Sequence, residues 1–252
     1  MIRLTSVSMS FQGDDVGADR FVLREVDLHV AEGEFVCLLG PSGCGKSTLL
    51  NLVAGFLLPT SGEARFGGRS IAEPGPDRGV VFQDPTLFPW LTVRQNVEFG
   101  LASAGLPREQ RRARGQAALA LVGLEGCEYK YPYALSGGMR QRAALARVLV
   151  LTPRALLMDE PFGALDTNTR ERLQDELLRI WQAQRRTVLF VTHNVEEAAY
   201  LADRVVVMGP APRSIRSELL VGVSRPRDRL SAGMRDVVYE LRARLDEMPC
   251  CV

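Results

Sequence analysis

Five consecutive apolar residues, Phe35-Val36-Cys37-Leu38-Leu39, run straight into Gly40-Pro41-Ser42-Gly43-Cys44-Gly45-Lys46-Ser47. Beyond them, Leu49, Leu50, Leu52 and Val53 recur at helical spacing. An unbroken apolar run of strand length suits a strand covered on both faces, as in the parallel sheet of an α/β protein. The eight residues after it match G-x-x-x-x-G-K-[ST], and the flanking strand and helix are the context that gives the pattern its physical meaning. Glycines allow the backbone to curl so that several N–H groups face inward at phosphate oxygens, and the helix adds its positive end. Gly40 to Ser47, with Thr48, are therefore expected to hold ATP phosphates. Lys46 would reach the β and γ groups, and the Ser47 hydroxyl would ligand Mg²⁺.

Chemistry at a triphosphate also needs an acidic residue at the end of a buried strand to hold the metal. Leu156-Leu157-Met158-Asp159-Glu160 supplies one: Asp159 is expected to hold Mg²⁺, and Glu160 to act as the general base that polarises an attacking water. A third segment, Ser136-Gly137-Gly138 opening a helix, is a second anion site in the same chain, with a hydroxyl and exposed N–H groups.

The rest of the sequence bounds what such a chain can be. Of its 252 residues 46% are hydrophobic and 24% charged, which excludes a disordered chain. Lys+Arg 31 against Asp+Glu 30 leaves a net charge of +1, so no global field recruits nucleic acid, and no nucleic-acid partner is expected. The cluster Arg108, Arg111-Arg112-Ala113-Arg114 with Glu109 interleaved reads as a solvated helix face. No apolar stretch is long enough to span a bilayer and the start lacks a secretory pattern, so a cytosolic chain is expected. Five cysteines, an odd number without a Cys-x-x-Cys pair, and two histidines speak against a disulfide framework or a zinc knuckle. Cys44 lies inside the phosphate loop, where amide dipoles and Lys46 are expected to favour its thiolate, so that alkylation would block ATP binding.

Periodicity predicts strands over 2–7, 21–30, 35–39, 155–158, 187–192 and 205–208, with the polar stretch 12–20 joining the first two. Helices are expected from Lys46, over 106–122, 138–151, 168–184 and 195–202, and near 236–245. The alternation of buried strands and helices gives an α/β class with a helical insertion; the family resemblance carried by the residues that follow implies a P-loop NTPase with a RecA-like core, an antiparallel β subdomain and an inserted α-helical subdomain. Residues 1–84 and 152–222 are assigned to the nucleotide-binding core, 85–151 to the insertion and 223–252 to a short tail without a further β-domain.

Leu135-Ser136-Gly137-Gly138-Met139-Arg140-Gln141-Arg142 resembles the signature of the ATP-binding cassette (ABC) family, and it precedes the Asp159-Glu160 strand as the family's signature does. The resemblance covers roughly residues 2–226. It implies that the signature of one copy closes over ATP held by the other, giving a head-to-tail homodimer with two ATP molecules in its interface. Gln83 resembles the glutamine that touches Mg²⁺ and senses the transport partner. Gly163-Ala164-Leu165-Asp166 resembles the loop coupling the two ATP sites, and His193 resembles the histidine that contacts the γ-phosphate. Phe11 resembles the aromatic that stacks on adenine, with Phe21 as its competitor.

In this family ATP drives a membrane permease, here necessarily a separate polypeptide, so the resemblance implies a peripheral protein at the cytoplasmic face of the membrane. Leu87-Phe88-Pro89-Trp90-Leu91 offers aromatics for permease docking near Gln83. A one-cassette subunit resembles the bacterial importers, in which a periplasmic or extracellular solute-binding protein feeds the permease. Pro74–Gln83, Phe88-Pro89-Trp90 and Ser224-Arg225-Pro226-Arg227-Asp228 resemble the nitrate/sulfonate/taurine group. Two other readings carry distinct marks. A soluble ABC ATPase of DNA maintenance needs a long coiled coil, and none is apparent between Gln83 and Ser136. A non-hydrolysing nucleotide switch generally lacks the carboxylate that Glu160 provides.

Overall fold

The apolar run Phe35–Leu39 is a strand, β3, and all five of its residues are buried. The structure is a computed structural model that describes residues 1–11, 20–163, 165–209 and 214–247. They group into two compact units, Met1–Gly75 with Arg186–Val252, and Pro76–Arg185.

In the first unit β3 is flanked by parallel strands on both sides, β8 (Thr187–Thr192) and β9 (Arg204–Met208). β8 is as buried as β3, and Phe190 packs against Phe35 at 6.0 Å between ring centroids. β10 (Ile215–Leu220) adds antiparallel to β9, giving the order β10-β9-β3-β8. A separate antiparallel sheet has the order β2-β1-β4-β5, from β1 (Ile2–Phe11), β2 (Arg20–Val30), β4 (Ser61–Phe66) and the short β5 (Arg69–Ser70). β1 runs four residues past the alternation read from the sequence. A register shift and a left-handed Ser6 (φ 47°) break the period, after which pairing resumes. The stretch 12–19, read as a polar connection, lies outside the described residues.

Helices α1 (Lys46–Ala54), α6 (Val195–Leu201) and α7 (Ala232–Asp246) complete this unit. α7 begins earlier than its apolar spacing indicates, because Ser231 caps it through Met234 N at 3.3 Å. The segment 224–228 is a structural clasp. Arg227 is buried, and its guanidinium donates to the carbonyls of Val223, Ala199, Tyr200, Ala202 and Val221. Arg225 beside it donates to Asp203 and to Leu201 O. Burial, with Arg225 adding like-charge repulsion, pulls the Arg227 pKa down to about 10.

The second unit carries the parallel pair β6 (Arg78–Val81) and β7 (Ala155–Asp159). Its helices are α2 (Val93–Ser103), α3 (Arg108–Leu121), α4 (Gly137–Leu149) and α5 (Thr167–Gln184). α2 was not predicted from the sequence, yet Val93, Val97 and Leu101 recur at i, i+4, i+8 and it starts with a full capping box in which Thr92 and Gln95 satisfy each other's backbone amides. α5 presents Leu173, Leu177, Ile180 and Trp181 to the interior, an i, i+4, i+7, i+8 stripe. At 18 residues it is the longest helix among those described, so none of them forms an extended coiled coil.

Candidate active site

The turn after β3 is dictated by space. A Cβ on Gly40 would lie 2.2 Å from the Met208 carbonyl oxygen, which no side chain permits. Gly45 sits at φ 95° as the N-cap of α1, a conformation glycine adopts without cost. Because Gly45 has no side chain to cap the helix and the first turn holds no acidic residue, the amides there meet no carboxylate of their own helix. α1 therefore keeps its positive end available for an external anion. Pro41, Ser42, Gly43 and Ser47 are exposed on this turn, and Thr48 is half-buried. Lys46 is buried, and its Nζ donates to Gly40 O at 2.9 Å and Pro41 O at 2.7 Å, so the ammonium lies folded against the loop. The structure corrects the expectation for Cys44. Its thiol is buried, and desolvation outweighs the opposing pull of Lys46, raising the pKa above the ordinary thiol value. The thiolate is disfavoured.

In the same unit β8 delivers His193 to an exposed turn that is tied on both sides. Thr192 Oγ1 donates to the buried Glu197 carboxylate and accepts from Asn194 N at 3.0 Å. Asn194 Oδ1 in turn accepts from Glu197 N at 2.8 Å, capping α6. Asn194 and Glu197 had gone unread, although N-x-x-E ahead of an apolar stretch is a helix-start signal. The two candidate adenine platforms sit on adjacent strands, with Ser10 opposite Phe21 and Phe11 opposite Arg20. Phe11 is 45% exposed, while the Arg24 guanidinium covers the Phe21 ring at 5.6 Å.

The second unit holds the acidic end. β7 places Asp159 and Glu160 at its mouth, both half-buried. Glu160 has φ 43°, a left-handed conformation that costs a non-glycine residue ~1–3 kcal/mol and recurs where function demands it. Gly163 N donates back to Glu160 O at 3.1 Å. A Cβ on Gly163 would lie 3.5 Å from Gln83 Nε2 and 3.8 Å from Glu160 Oε2, so the amide and the carboxylate converge on this turn. Ala164, within the stretch read as a coupling loop, lies outside the described residues.

Ser136 caps α4 by accepting from Met139 N at 3.3 Å. Its two glycines differ. A Cβ on Gly138 would press on Thr169 Cγ2 at 2.7 Å, whereas one on Gly137 meets nothing within 4 Å among the described residues outside its own helix turn. Asp166 caps α5 through Thr169 N at 3.0 Å, and that amide bond holds its carboxyl below the usual carboxylate range. Ser136, Gly137 and Asp166 line one groove of about 590 Å³ with Arg142, Arg172 and Arg179.

Each residue expected to hold a metal carries an oxygen donor that suits a hard ion: the Ser47 hydroxyl in the first unit, and the Gln83 amide and the Asp159 carboxylate in the second. Among the described residues no group of three or more His, Cys, Asp or Glu could hold a metal unaided. Near Gln83 an aromatic cluster faces solvent. The Phe88 ring packs in a tilted arrangement against Phe99 at 4.7 Å and Trp90 at 5.6 Å between centroids, and Trp90 is 70% exposed. Phe99, which joins this cluster from α2, had not been singled out.

Residues 23–163 match the family model for ABC transporters. The chain belongs to the ABC transporter family. It is similar to an uncharacterized ABC transporter ATP-binding protein of Methanocaldococcus jannaschii, 51% identical over 88% of this chain and 81% of that protein. It is 50% identical to the nitrate import ATP-binding protein NrtD of Synechococcus elongatus, over 82% and 77% of the two chains. Against the bicarbonate transport ATP-binding protein CmpD of Synechocystis it is 49% identical over 88% and 79%. Among solved structures it resembles a dimeric ATP-binding cassette in a post-hydrolysis state with ADP and Pi, at TM-score 0.77 and 31% identity over 89% of this chain and all of the other. As an ABC ATP-binding subunit of the P-loop NTPase fold, it is an ATPase.

Proposed function

We propose that this ABC ATPase is the motor subunit of an importer, working as a homodimer beneath a separate membrane permease. Its relatives that act on nitrate and bicarbonate support a small oxyanion of the nitrate/sulfonate/taurine kind as the solute. Among the described residues no helix is long and apolar enough to cross a membrane, so attachment would run through the permease, docked on Gln83, Phe88 and Trp90. A solute-binding protein outside the membrane would meet the permease and not this chain.

The residues divide the work. Gly40 to Thr48 bind the triphosphate through backbone amides, with Lys46 swinging from its loop carbonyls to the phosphates. Ser47, Gln83 and Asp159 hold Mg²⁺, which when bound neutralises phosphate charge. Glu160 takes a proton from the attacking water and His193 donates to the γ-phosphate. Ser136, Gly137 and Gly138 serve the nucleotide of the partner copy, with Asp166 alongside. Phe11 stacks on adenine. The observation that supports this reading most is the exposed start of α4, where among the described residues nothing beyond Gly137's own neighbours and helix backbone lies within 4 Å of a Cβ there. Such a surface invites a close approach from another molecule.

Replacing Glu160 by Gln removes the base while keeping shape. Turnover should fall by ~10²–10⁴-fold, the usual contribution of a general base. With saturating Mg-ATP the variant should elute as a dimer in size-exclusion light scattering. A variant that stays monomeric, or that hydrolyses ATP at the parent rate, removes the basis of the proposal.

A further inference from the structure

Between Gln83 and the aromatic cluster the backbone passes through Thr86 at φ 44°, a conformation that a β-branched residue rarely adopts. Two side chains hold it. Arg147, near the C-terminal end of α4, donates from Nη1 to Thr86 O at 2.9 Å. Its Nη2 donates to Thr86 Oγ1 at 3.1 Å and Pro85 O at 3.3 Å. The same guanidinium lies 5.7 Å from the Phe88 ring centroid. Asn96, fully buried on α2, accepts from Phe88 N at 2.8 Å and donates to the carbonyls of Phe88, Leu91 and Thr92. Phe88 is thus fixed by its backbone to α2 and by its ring to α4.

α4 touches this segment twice. Gln141 Nε2 donates to Phe82 O at 3.3 Å, just before Gln83, and Arg147 grips 85–88. The other end of α4 is Ser136-Gly137-Gly138, and Arg147 lies ten residues beyond Gly137, about 15 Å along a rigid rod. Burial lowers the pKa of Arg147, which marks a guanidinium kept in a partly dry place by these contacts.

We propose that Arg147 is a positioning residue that transmits the placement of the signature end of α4 to the Thr86–Trp90 surface. In it, one planar fork holds two carbonyls and a hydroxyl around a strained Thr86, so a shift of α4 moves or releases the segment that carries the docking aromatics. A helix gripped at both ends in this way carries a displacement at one end to the contacts at the other. The inference rests on the proposed ATP-driven function, since it needs nucleotide to act on the signature.

The chain has two tryptophans, Trp90 at 70% exposure and Trp181 buried, so Trp181→Phe leaves Trp90 as sole reporter. In a Trp181→Phe/Glu160→Gln background, Mg-ATP is titrated while Trp90 emission is recorded, and ATP binding is measured separately by equilibrium dialysis. The expected result is a saturable emission change that Arg147→Ala reduces at least fivefold, with half-saturation in dialysis moved less than threefold. Arg147→Lys keeps charge but loses the fork, and should give less than half the parent amplitude at unchanged affinity. If the alanine variant does not fold, the lysine variant decides by the same criterion. Amplitudes equal to the parent's, amplitude lost only in step with ATP binding, or a parent that binds ATP without any Trp90 response would each overturn the proposal. A parent that fails to bind ATP overturns instead the functional reading beneath it.

Discussion

Gly137 and Gly138 are adjacent in sequence and should respond to the same substitution in opposite ways. Gly137 stands at the first position of α4 with open space around its missing Cβ. Gly137→Ala should stabilise the isolated chain by up to ~1 kcal/mol, through helix propensity and a less disordered unfolded state. For a chain of this size that raises Tm by ~2–4 °C. If this surface packs against the partner's nucleotide, the added methyl displaces amide donors from the phosphates, and turnover should fall by ~10²-fold or more, the scale of losing one such donor. A more stable, inactive protein is the expected outcome. Gly138→Ala is different, because its Cβ would sit 2.7 Å from Thr169 Cγ2, a methyl fixed by the β-branched rotamer. Overpacking there costs ~1–3 kcal/mol and lowers Tm. Thr169→Ser removes that methyl while keeping the Asp166 cap on the Thr169 amide, so the double variant should recover most of the loss. Differential scanning fluorimetry and a phosphate-release assay on the four proteins suffice. Gly137→Ala with normal turnover, or with a lowered Tm, would refute the idea that this face is open for a second molecule.

Cys44 should react slowly with a thiol reagent at pH 7–8, because its thiol is buried and its pKa raised; the rate should climb as pH rises through and beyond 9. Stopped-flow labelling against free cysteine checks this, and rapid labelling at neutral pH contradicts it. Lys46→Ala should abolish measurable ATP binding in equilibrium dialysis while the fold persists by circular dichroism. Arg227→Met strips donors from five carbonyls and should cost at least ~3 kcal/mol, seen as a fall in the urea midpoint. With its pKa near 10, Arg227 stays charged from pH 6 to 9, so that loss should be the same across the range.

The β3–turn–α1 unit was readable from the sequence because each part is local: an apolar run, a fixed spacing, a helical stripe. The same holds for β8 and for α5, whose stripe is regular. β10 was missed since Arg216, Ser217 and Glu218 give it no apolar period, and only pairing with β9 makes it a strand. The left-handed Glu160 and the convergence of Gln83 on it depend on how a turn closes in space, which no residue pattern encodes. For Cys44 the neighbouring charge was visible in the sequence and the burial was not, and burial is the larger effect.

Among the described residues five of the seven α-helices take a cap from the side chain at their N-terminus, whereas α1 begins on a bare glycine with no acid in its first turn. On the proposed function, a triphosphate bound there would be a structural part as well as fuel. Ligand at a hundred times its dissociation constant adds ~2.7 kcal/mol to the folded state. A cell depleted of ATP would then hold this subunit in its most protease-vulnerable form, linking the lifetime of the motor to its supply.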